Sequence, residues 1–96
     1  MKIGFTKKSG NLAVTLDGRL DTTTAPELEK LLDENYADTE SLTFNCEKLV
    51  YIASAGLRVM LNAQKKMRDS MKLTNVCELV MEVFEMTGFD DILTIE

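Results

Sequence analysis

Strand-like and helix-like patterns alternate along this 96-residue chain, and the alternation limits its fold more than any other feature of the sequence. Apolar residues alternate with smaller or polar ones at residues 3–5 and 12–16, and residues 7–11 between them include turn-forming Ser, Gly and Asn. This arrangement predicts an N-terminal β-hairpin. Asp17 and Gly18, followed by residues 21–24, are expected to end the second strand.

The first helix is predicted directly after that break. Thr24 and Glu27 have the spacing of a capping box, and Pro26 suits the first turn of a helix, where its missing N–H does no harm. Four apolar or aromatic side chains then recur at helical spacing and predict a buried stripe. They are Leu28, Leu31, Leu32 and Tyr36.

Strands and helices continue to alternate after this helix. Strand patterns occur at residues 41–46, continuing at 49–52, and again at 71–77 and 92–95. One helical pattern begins at Leu57, and another ends at Gly88, which is suited to a left-handed cap. The apolar stripe of this last helix consists of Leu79, Val80, Val83 and Phe84. The order β-β-α-β-α-β-α-β predicts one α/β domain over residues 1–96, with crossover helices and a mixed, mostly parallel central sheet of about five strands.

Length, charge and cysteine usage exclude several classes of function. The chain is long enough for one hydrophobic core and too short for two domains. Its net charge of -5 argues against binding of nucleic acid, whose phosphates would repel it. No apolar run approaches the roughly 20 residues of a membrane span, and the N-terminus lacks a signal region, so a cytoplasmic location is expected. Cys46 and Cys77 form no CxxC pair, which favours buried thiols over a disulfide or a zinc site.

The stretch VYIASAGLRVML, residues 50–61, contains the most informative residues of the chain. Strand-forming residues give way to Ala53, Ser54, Ala55 and Gly56 before the helical pattern begins. Ser54 is positioned to serve as an N-cap, a role that contributes about 1 kcal/mol to a helix. Glycine is unusual in a helix interior, where it costs about 1 kcal/mol relative to alanine. The small neighbours would leave the Ser54 hydroxyl free of side-chain cover, so that another protein could approach it closely.

The surroundings of Ser54 do not match a hydrolase site. The chain contains no histidine, so the usual Ser–His base is absent, and the sequence around Ser54 is not a G-x-S-x-G elbow. A Ser–Lys pair stays open as an alternative, although no lysine lies near Ser54 in sequence. The chain has no Walker loop and no G-x-G-x-x-G, and neither a cofactor nor a metal is predicted.

Phosphorylation of Ser54 is more compatible with the pattern than catalysis. A phosphate at a helix N-terminus would meet free backbone N–H groups and the positive end of the helix dipole. It would also add a charge of roughly -1.5 to -2, which a partner packed against small residues would have to accommodate. A penalty of about 2.8 kcal/mol would weaken binding a hundredfold, so such a modification can switch binding without refolding the domain.

Five segments in order resemble the STAS domain family, and within it the single-domain anti-sigma factor antagonists, or anti-anti-sigma factors, of bacterial partner-switching systems. The segments are LDGRLD at residues 16–21, TAPEL at 24–28, FNCEKL at 44–49, IASAGL at 52–57 and VFEMTGF at 83–89. Their order and spacing cover nearly the whole chain. The resemblance implies a STAS-like α/β fold and a regulatory binding module rather than an enzyme.

The resemblance also implies a partner and a set of binding residues. In such antagonists the serine that matches Ser54 is phosphorylated by a cognate anti-sigma factor that is also a serine kinase of the GHKL type. The unmodified antagonist binds this kinase and releases the sigma factor, whereas phosphorylation ends the interaction and a phosphatase restores it. Asp21 matches an acidic residue that supports partner binding or phosphorylation. The implied partner-binding residues are Asp21, Thr22, Ala53, Ser54, Ala55, Gly56 and Arg58.

Three features depart from the family pattern. Ala53 stands where many antagonists carry aspartate, so a carboxylate that would help to orient the site or be read by the kinase is missing. Arg58 replaces a frequent small residue; we interpret it as a solvent-facing helix residue, with pairing to a phosphate as the alternative. No counterpart of the terminal helix of many relatives follows Ile95. A homodimer would cover the sheet face or edge that this leaves open.

Two other functions are compatible with the same sequence. The first is a constitutive scaffold or a small-molecule-sensing regulatory subunit with the same fold and no phosphorylation, which the missing carboxylate at position 53 favours. The second is an enzyme, which the absence of histidine and of paired catalytic carboxylates disfavours.

Overall fold

The central sheet has four strands in the order β1-β2-β3-β4 in a computed structural model that describes residues 1–96. The strands are β1 (Lys2–Lys8), β2 (Asn11–Leu20), β3 (Ser41–Ile52) and β4 (Met71–Thr74). β1 is antiparallel to β2, whereas β2, β3 and β4 are mutually parallel. The crossovers contain α1 (Ala25–Asn35), α2 (Ser54–Met67) and α3 (Glu78–Thr87). The predicted mixed, mostly parallel α/β architecture is confirmed.

The β1–β2 hairpin has the turn that its residues predict. Lys8 pairs with Asn11, so the connection contains only Ser9 and Gly10. Both have positive φ, 51° and 82° respectively. Two consecutive residues with positive φ match the right-handed twist of the flanking strands, which is why such turns are common in hairpins. The hairpin is therefore determined by local turn chemistry.

β2 and β3 are both longer than the sequence pattern predicts. β2 does not end at Asp17 and Gly18 but continues to Leu20 through an irregular register, with Gly18 at a φ of 116°. Because Gly18 has no side chain, it can adopt this conformation, and β2 forms a bulge there and then pairs with β3 again. β3 likewise runs without interruption through residues 47–48 to Ile52. These extensions carry both strands past the end of β4.

The last predicted strand is reduced to a single bridge. Ile95 pairs in parallel with Leu73, and Glu96 N donates to the Leu73 carbonyl over 2.9 Å. β4 itself ends at Thr74, because Asn75 adopts a φ of 56° and turns the chain toward α3. The sheet therefore has four full strands, where the sequence predicted about five.

The core lies between one face of the sheet and the three helices. Buried and more exposed residues alternate along β2 and along the first part of β3. The buried face carries Leu12, Val14, Leu16, Leu42, Phe44 and Cys46. The helices add Leu28, Leu32, Met60, Ala63, Val80 and Phe84. Where β2, β3 and β4 pair, the opposite face carries Ala13, Thr15, Thr43, Asn45, Lys72 and Thr74. These side chains are small or polar, so this face of the three strands carries no large apolar patch.

The predicted helical stripes are confirmed in part. Leu28 and Leu32 of α1 are buried, and α3 ends at Gly88 with a φ of 78°. In α3, however, only Val80 and Phe84 of the predicted stripe are buried, and Leu79 is 55% exposed. No helix is both long enough and apolar enough to cross a membrane.

The two cysteines are free thiols. Cys46 is fully buried and Cys77 is partly buried. Burial, with a smaller contribution from Cys77, raises the pKa of the Cys46 thiol to about 12. A thiol with such a pKa stays protonated at neutral pH and behaves as a small apolar side chain.

Candidate functional site

Asp21 and Ser54 are brought to the same edge of the sheet. Leu20, the last residue of β2, pairs with Ile52, the last residue of β3. Ala53 N then donates a 2.9 Å hydrogen bond to the Leu20 carbonyl, which joins the two strand exits. Because β2 and β3 are parallel, the loop after β2 and the start of α2 lie side by side.

The first turn of α2 leaves the Ser54 hydroxyl free. The N-cap is Ala53, whose backbone is extended with φ -108° and ψ 179° and whose carbonyl accepts from Leu57 N over 3.0 Å. Ser54 is therefore the first helical residue, and the prediction that it caps the helix is wrong. No side chain caps α2, and Ser54 is exposed. The start of α2 therefore does not depend on a hydrogen bond from the Ser54 hydroxyl.

Gly56 has a packing reason that the sequence did not reveal. A Cβ added at Gly56 would lie 2.8 Å from Leu20 Cγ and 2.9 Å from Ile52 Cγ1. These separations are well inside ordinary carbon contact, which is about 3.5–4.0 Å. Glycine thus allows the first turn of α2 to rest directly on the ends of β2 and β3, so that the position of Ser54 is set by backbone packing.

The loop that holds Asp21 is, by contrast, tied together by side-chain hydrogen bonds. Asp21 Oδ1 accepts hydrogen bonds from Thr23 N at 3.0 Å and Thr24 N at 3.2 Å. The hydroxyl of Thr24 accepts from Asp21 N at 2.9 Å and donates to the Arg19 carbonyl at 2.7 Å. The hydrogen bond from the Thr23 N–H is the main reason why the pKa of the Asp21 carboxyl lies below its ordinary value. Asp21 is consequently a fixed anion at neutral pH.

The predicted capping box at the start of α1 is absent. Thr24 occupies the N-cap, but its side chain makes no capping hydrogen bond to the helix. The Thr24 hydroxyl instead accepts from Asp21 N and donates to the Arg19 carbonyl. These local hydrogen bonds compete with capping of the helix for the same hydroxyl. Pro26 lies in the first turn, as predicted.

Thr22 and Arg58 lie on opposite sides of a shallow groove between the starts of α1 and α2. The groove has a volume of about 220 Å³ and is lined by Thr22, Ala25, Pro26, Glu29, Ala55, Arg58 and Val59. Arg58 is exposed and makes no ion pair. It follows Ser54 by four residues, so both side chains lie on the same face of α2. All seven predicted partner-binding residues therefore belong to this end of the domain, but Gly56 is buried there beneath the first turn of α2.

A cation–π pair that was not predicted from the sequence lies next to this site. The Arg19 guanidinium carbon is 4.2 Å from the centroid of the Tyr51 ring. The two residues are opposite each other in the β2–β3 register, one position before Leu20 and Ile52. Such a contact holds a cation in place without neutralising it. It depends on the register between strands that are far apart in sequence, so no local signal predicts it.

This end of the domain combines a hydroxyl with charges of both signs. It presents the free hydroxyl of Ser54 and the hydrogen-bonded carboxylate of Asp21. It also presents the exposed guanidinium groups of Arg19 and Arg58. No group of three or more His, Cys, Asp or Glu side chains is placed to hold a metal ion. Comparison with known families identifies the arrangement. The STAS domain model matches residues 2–96.

The chain belongs to the STAS domain family. BtrV of Bordetella bronchiseptica, which is named as an anti-sigma factor antagonist, is 37% identical over 93 residues that cover 93% of this chain and 80% of BtrV. The anti-sigma-B factor antagonist of Staphylococcus aureus is 31% identical over 84 residues, covering 83% of this chain and 78% of that protein. The similarity to these relatives therefore covers most of the sequence and is not confined to the five motifs.

Solved structures confirm the STAS fold. The crystal structure of an anti-sigma factor antagonist from Mycobacterium paratuberculosis superimposes with a TM-score of 0.86 at 20% sequence identity. The match covers 98% of this chain and 83% of the mycobacterial one. At this identity the likeness concerns the arrangement of strands and helices, which agrees with the predicted STAS-like architecture.

Proposed function

We propose that this protein is an anti-sigma factor antagonist that acts by partner switching. In its unmodified form it binds a cognate anti-sigma factor and thereby releases a sigma factor. The anti-sigma factor is a serine kinase of the GHKL type, and it ends the interaction by phosphorylating Ser54. A phosphatase returns the protein to the binding form.

One observation carries this proposal: the Ser54 hydroxyl is exposed, makes no hydrogen bond that caps α2, and is flanked in the sequence by residues with at most a methyl group. A serine hydroxyl that makes no hydrogen bond within its own protein can be aligned with the γ-phosphate of ATP without first breaking one. The small side chains of Ala53 and Ala55 leave room for that approach. The relatives named as anti-sigma factor antagonists support the same assignment.

The position of Ser54 explains how one phosphate would block binding while the domain stays folded. At the first helical position the phosphate is next to N–H groups that have no partner within the helix, and it lies at the positive end of the helix dipole. The fold therefore tolerates the added charge. A partner packed closely around Ser54 and Ala55 would have to bury the same charge, which opposes association.

The experiment mixes the purified protein with purified GHKL-type anti-sigma factors from the same genome, with ATP and Mg²⁺, and follows complex formation and intact mass. We expect the wild type to bind and to gain one phosphate, and Ser54→Ala to bind without gaining any. Ser54→Asp should bind about a hundredfold more weakly. Ser70→Ala, which changes an exposed serine at the other end of α2, is the matched control and should behave like the wild type.

The missing carboxylate at position 53 favours a second candidate, a constitutive scaffold or small-molecule-sensing subunit. Ala53 contributes only its backbone to the start of α2. Equal affinity of the wild type, Ser54→Ala and Ser54→Asp for the anti-sigma factor, with no change in mass, would exclude the switch and support this alternative.

A further inference from the structure

The negative charge of the protein is concentrated at its C-terminal end. Residues 78–96, comprising α3 and the segment after it, contain six carboxylates and no lysine or arginine. The net charge of the whole chain is -5, so the first 77 residues are close to neutral. Only Glu96 of these six carboxylates has a cation within ion-pair distance, Lys72 at 3.6 Å. The five others face solvent unpaired.

The same segment exposes a row of large apolar side chains. Met86 is 86% exposed and Leu79 is 55% exposed, and Val83 between them is only partly buried. The spacing of i, i+4 and i+7 places all three on one face of α3, away from the buried Val80 and Phe84. We call the face formed by Leu79, Val83 and Met86 the outer face of α3. Single exposed apolar residues are common, whereas here two large exposed side chains and the partly buried Val83 between them share one face of a short helix, which makes that face a candidate interaction surface.

Carboxylates border the outer face. Glu78, Glu82 and Glu85 follow one side of the row by helical spacing, and Asp90 and Asp91 lie just beyond its C-terminal end. This charge pattern restricts the occupant. A second copy of this chain would place carboxylates against carboxylates, whereas a surface bordered by lysine and arginine would be attracted.

The N-terminal end of α3 lies toward the end of the domain that carries Ser54. The Cys77 thiol, at the N-cap of α3, lies 3.4 Å from the Leu49 carbonyl. Leu49 belongs to the last part of β3, which leads directly into α2. α2 and α3 both follow parallel strands, so their N-termini lie at the same edge of the sheet. A partner that covers this edge would meet the start of the outer face at Leu79.

We propose that the outer face of α3 is a second docking surface for the anti-sigma factor, which contacts it with an apolar patch bordered by lysine and arginine. This inference rests on the proposed function. It divides recognition between two surfaces: the Ser54 end, which phosphorylation alters, and the acidic, apolar face of α3, which phosphorylation leaves unchanged.

The test measures binding to the purified anti-sigma factor by calorimetry at low and high salt. Glu82→Lys combined with Glu85→Lys should weaken binding about tenfold and remove most of its salt dependence. The matched control combines Glu34→Lys with Asp69→Lys, which changes two exposed carboxylates away from α3 and alters the net charge equally. We expect the control to bind within about twofold of the wild type.

An apolar variant and a cross-linking probe examine the same surface independently. Met86→Ala keeps a good helix former and should weaken binding severalfold while leaving the melting temperature unchanged. A photoreactive benzoylphenylalanine in place of Met86 should cross-link to the anti-sigma factor at a segment that contains lysine or arginine.

The outcomes separate the two proposals. If the α3 variants bind like the wild type while Ser54→Asp does not, the docking surface is wrong and the partner switch stands. Equal losses in the α3 and control variants would indicate general electrostatic attraction and also overturn the docking surface. Self-association of the wild type that Met86→Ala abolishes would assign the surface to a second copy. Absence of binding by the wild type would overturn both proposals.

Discussion

The starts of α1 and α2 lie at the same edge of the sheet, but they are built differently. At α1, Asp21 and Thr24 engage one another and the neighbouring backbone through several hydrogen bonds. At α2, Ser54 makes none to the helix, and the turn is held by close packing of Gly56 against Leu20 and Ile52. The first turn of α2 is therefore stabilised without the Ser54 hydroxyl, which stays available for recognition.

The largest expected effect comes from filling the space at Gly56. Gly56→Val would force its side chain into Leu20 and Ile52, and overpacking of this kind should lower the free energy of unfolding by about 3 kcal/mol. Urea denaturation measures the change. Asn62→Val, at an exposed position of the same helix, is the control for the low helix propensity of valine. Equal midpoints for the two variants would mean that backbone packing does not hold the start of α2.

A smaller effect is expected at the start of α1. Thr24→Val keeps the shape of the side chain but removes the group that accepts from Asp21 N and donates to the Arg19 carbonyl. The loss should lower the free energy of unfolding by about 1–2 kcal/mol. Denaturation of Thr23→Val, whose exposed side chain makes no hydrogen bond, provides the reference. If both variants unfold alike, the loop before α1 is not stabilised by the hydroxyl of Thr24.

The charge of Asp21 should produce a still smaller, pH-dependent effect, because the carboxylate is exposed and screened by solvent. Its hydrogen bonds lower the pKa in the folded protein below the ordinary value of 3.8. The contribution to stability is therefore complete above that ordinary pKa and is lost as the pH falls through the lower pKa of the folded state. Melting temperatures measured from pH 7 down to acid should fall more steeply for the wild type than for Asp21→Asn. Parallel curves would show that the carboxylate does not stabilise the fold.

The smallest effect is expected at Ser54 itself. Ser54→Ala removes no hydrogen bond that holds α2, so the free energy of unfolding should change by less than about 0.5 kcal/mol. The same denaturation experiment applies, now with Thr24→Val as the contrasting variant. A loss at Ser54 as large as the loss at Thr24 would show that the hydroxyl caps α2 in solution and would remove the difference between the two helix starts.

Much of the fold follows from patterns within short segments of the chain. The order of strands and helices, the hairpin turn at Ser9 and Gly10 and the left-handed cap at Gly88 were all predictable, because each depends on local periodicity or on backbone preference. The site residues were also identified by their place in the motifs. Their arrangement was not, because it depends on the pairing of β2 with β3, which joins Leu20 to Ile52 and packs both against Gly56.

The sequence by itself thus determined the order of the first four strands and the three helices, and that Ser54 stands among small residues where a strand passes to a helix. Only the tertiary structure decided that Ala53 rather than Ser54 caps α2, that Arg19 stacks on Tyr51, and that Leu79 and Met86 remain exposed. The reason is physical. Periodicity and turn chemistry act over a few neighbouring residues, whereas strand register and helix packing depend on contacts between segments that are distant along the chain.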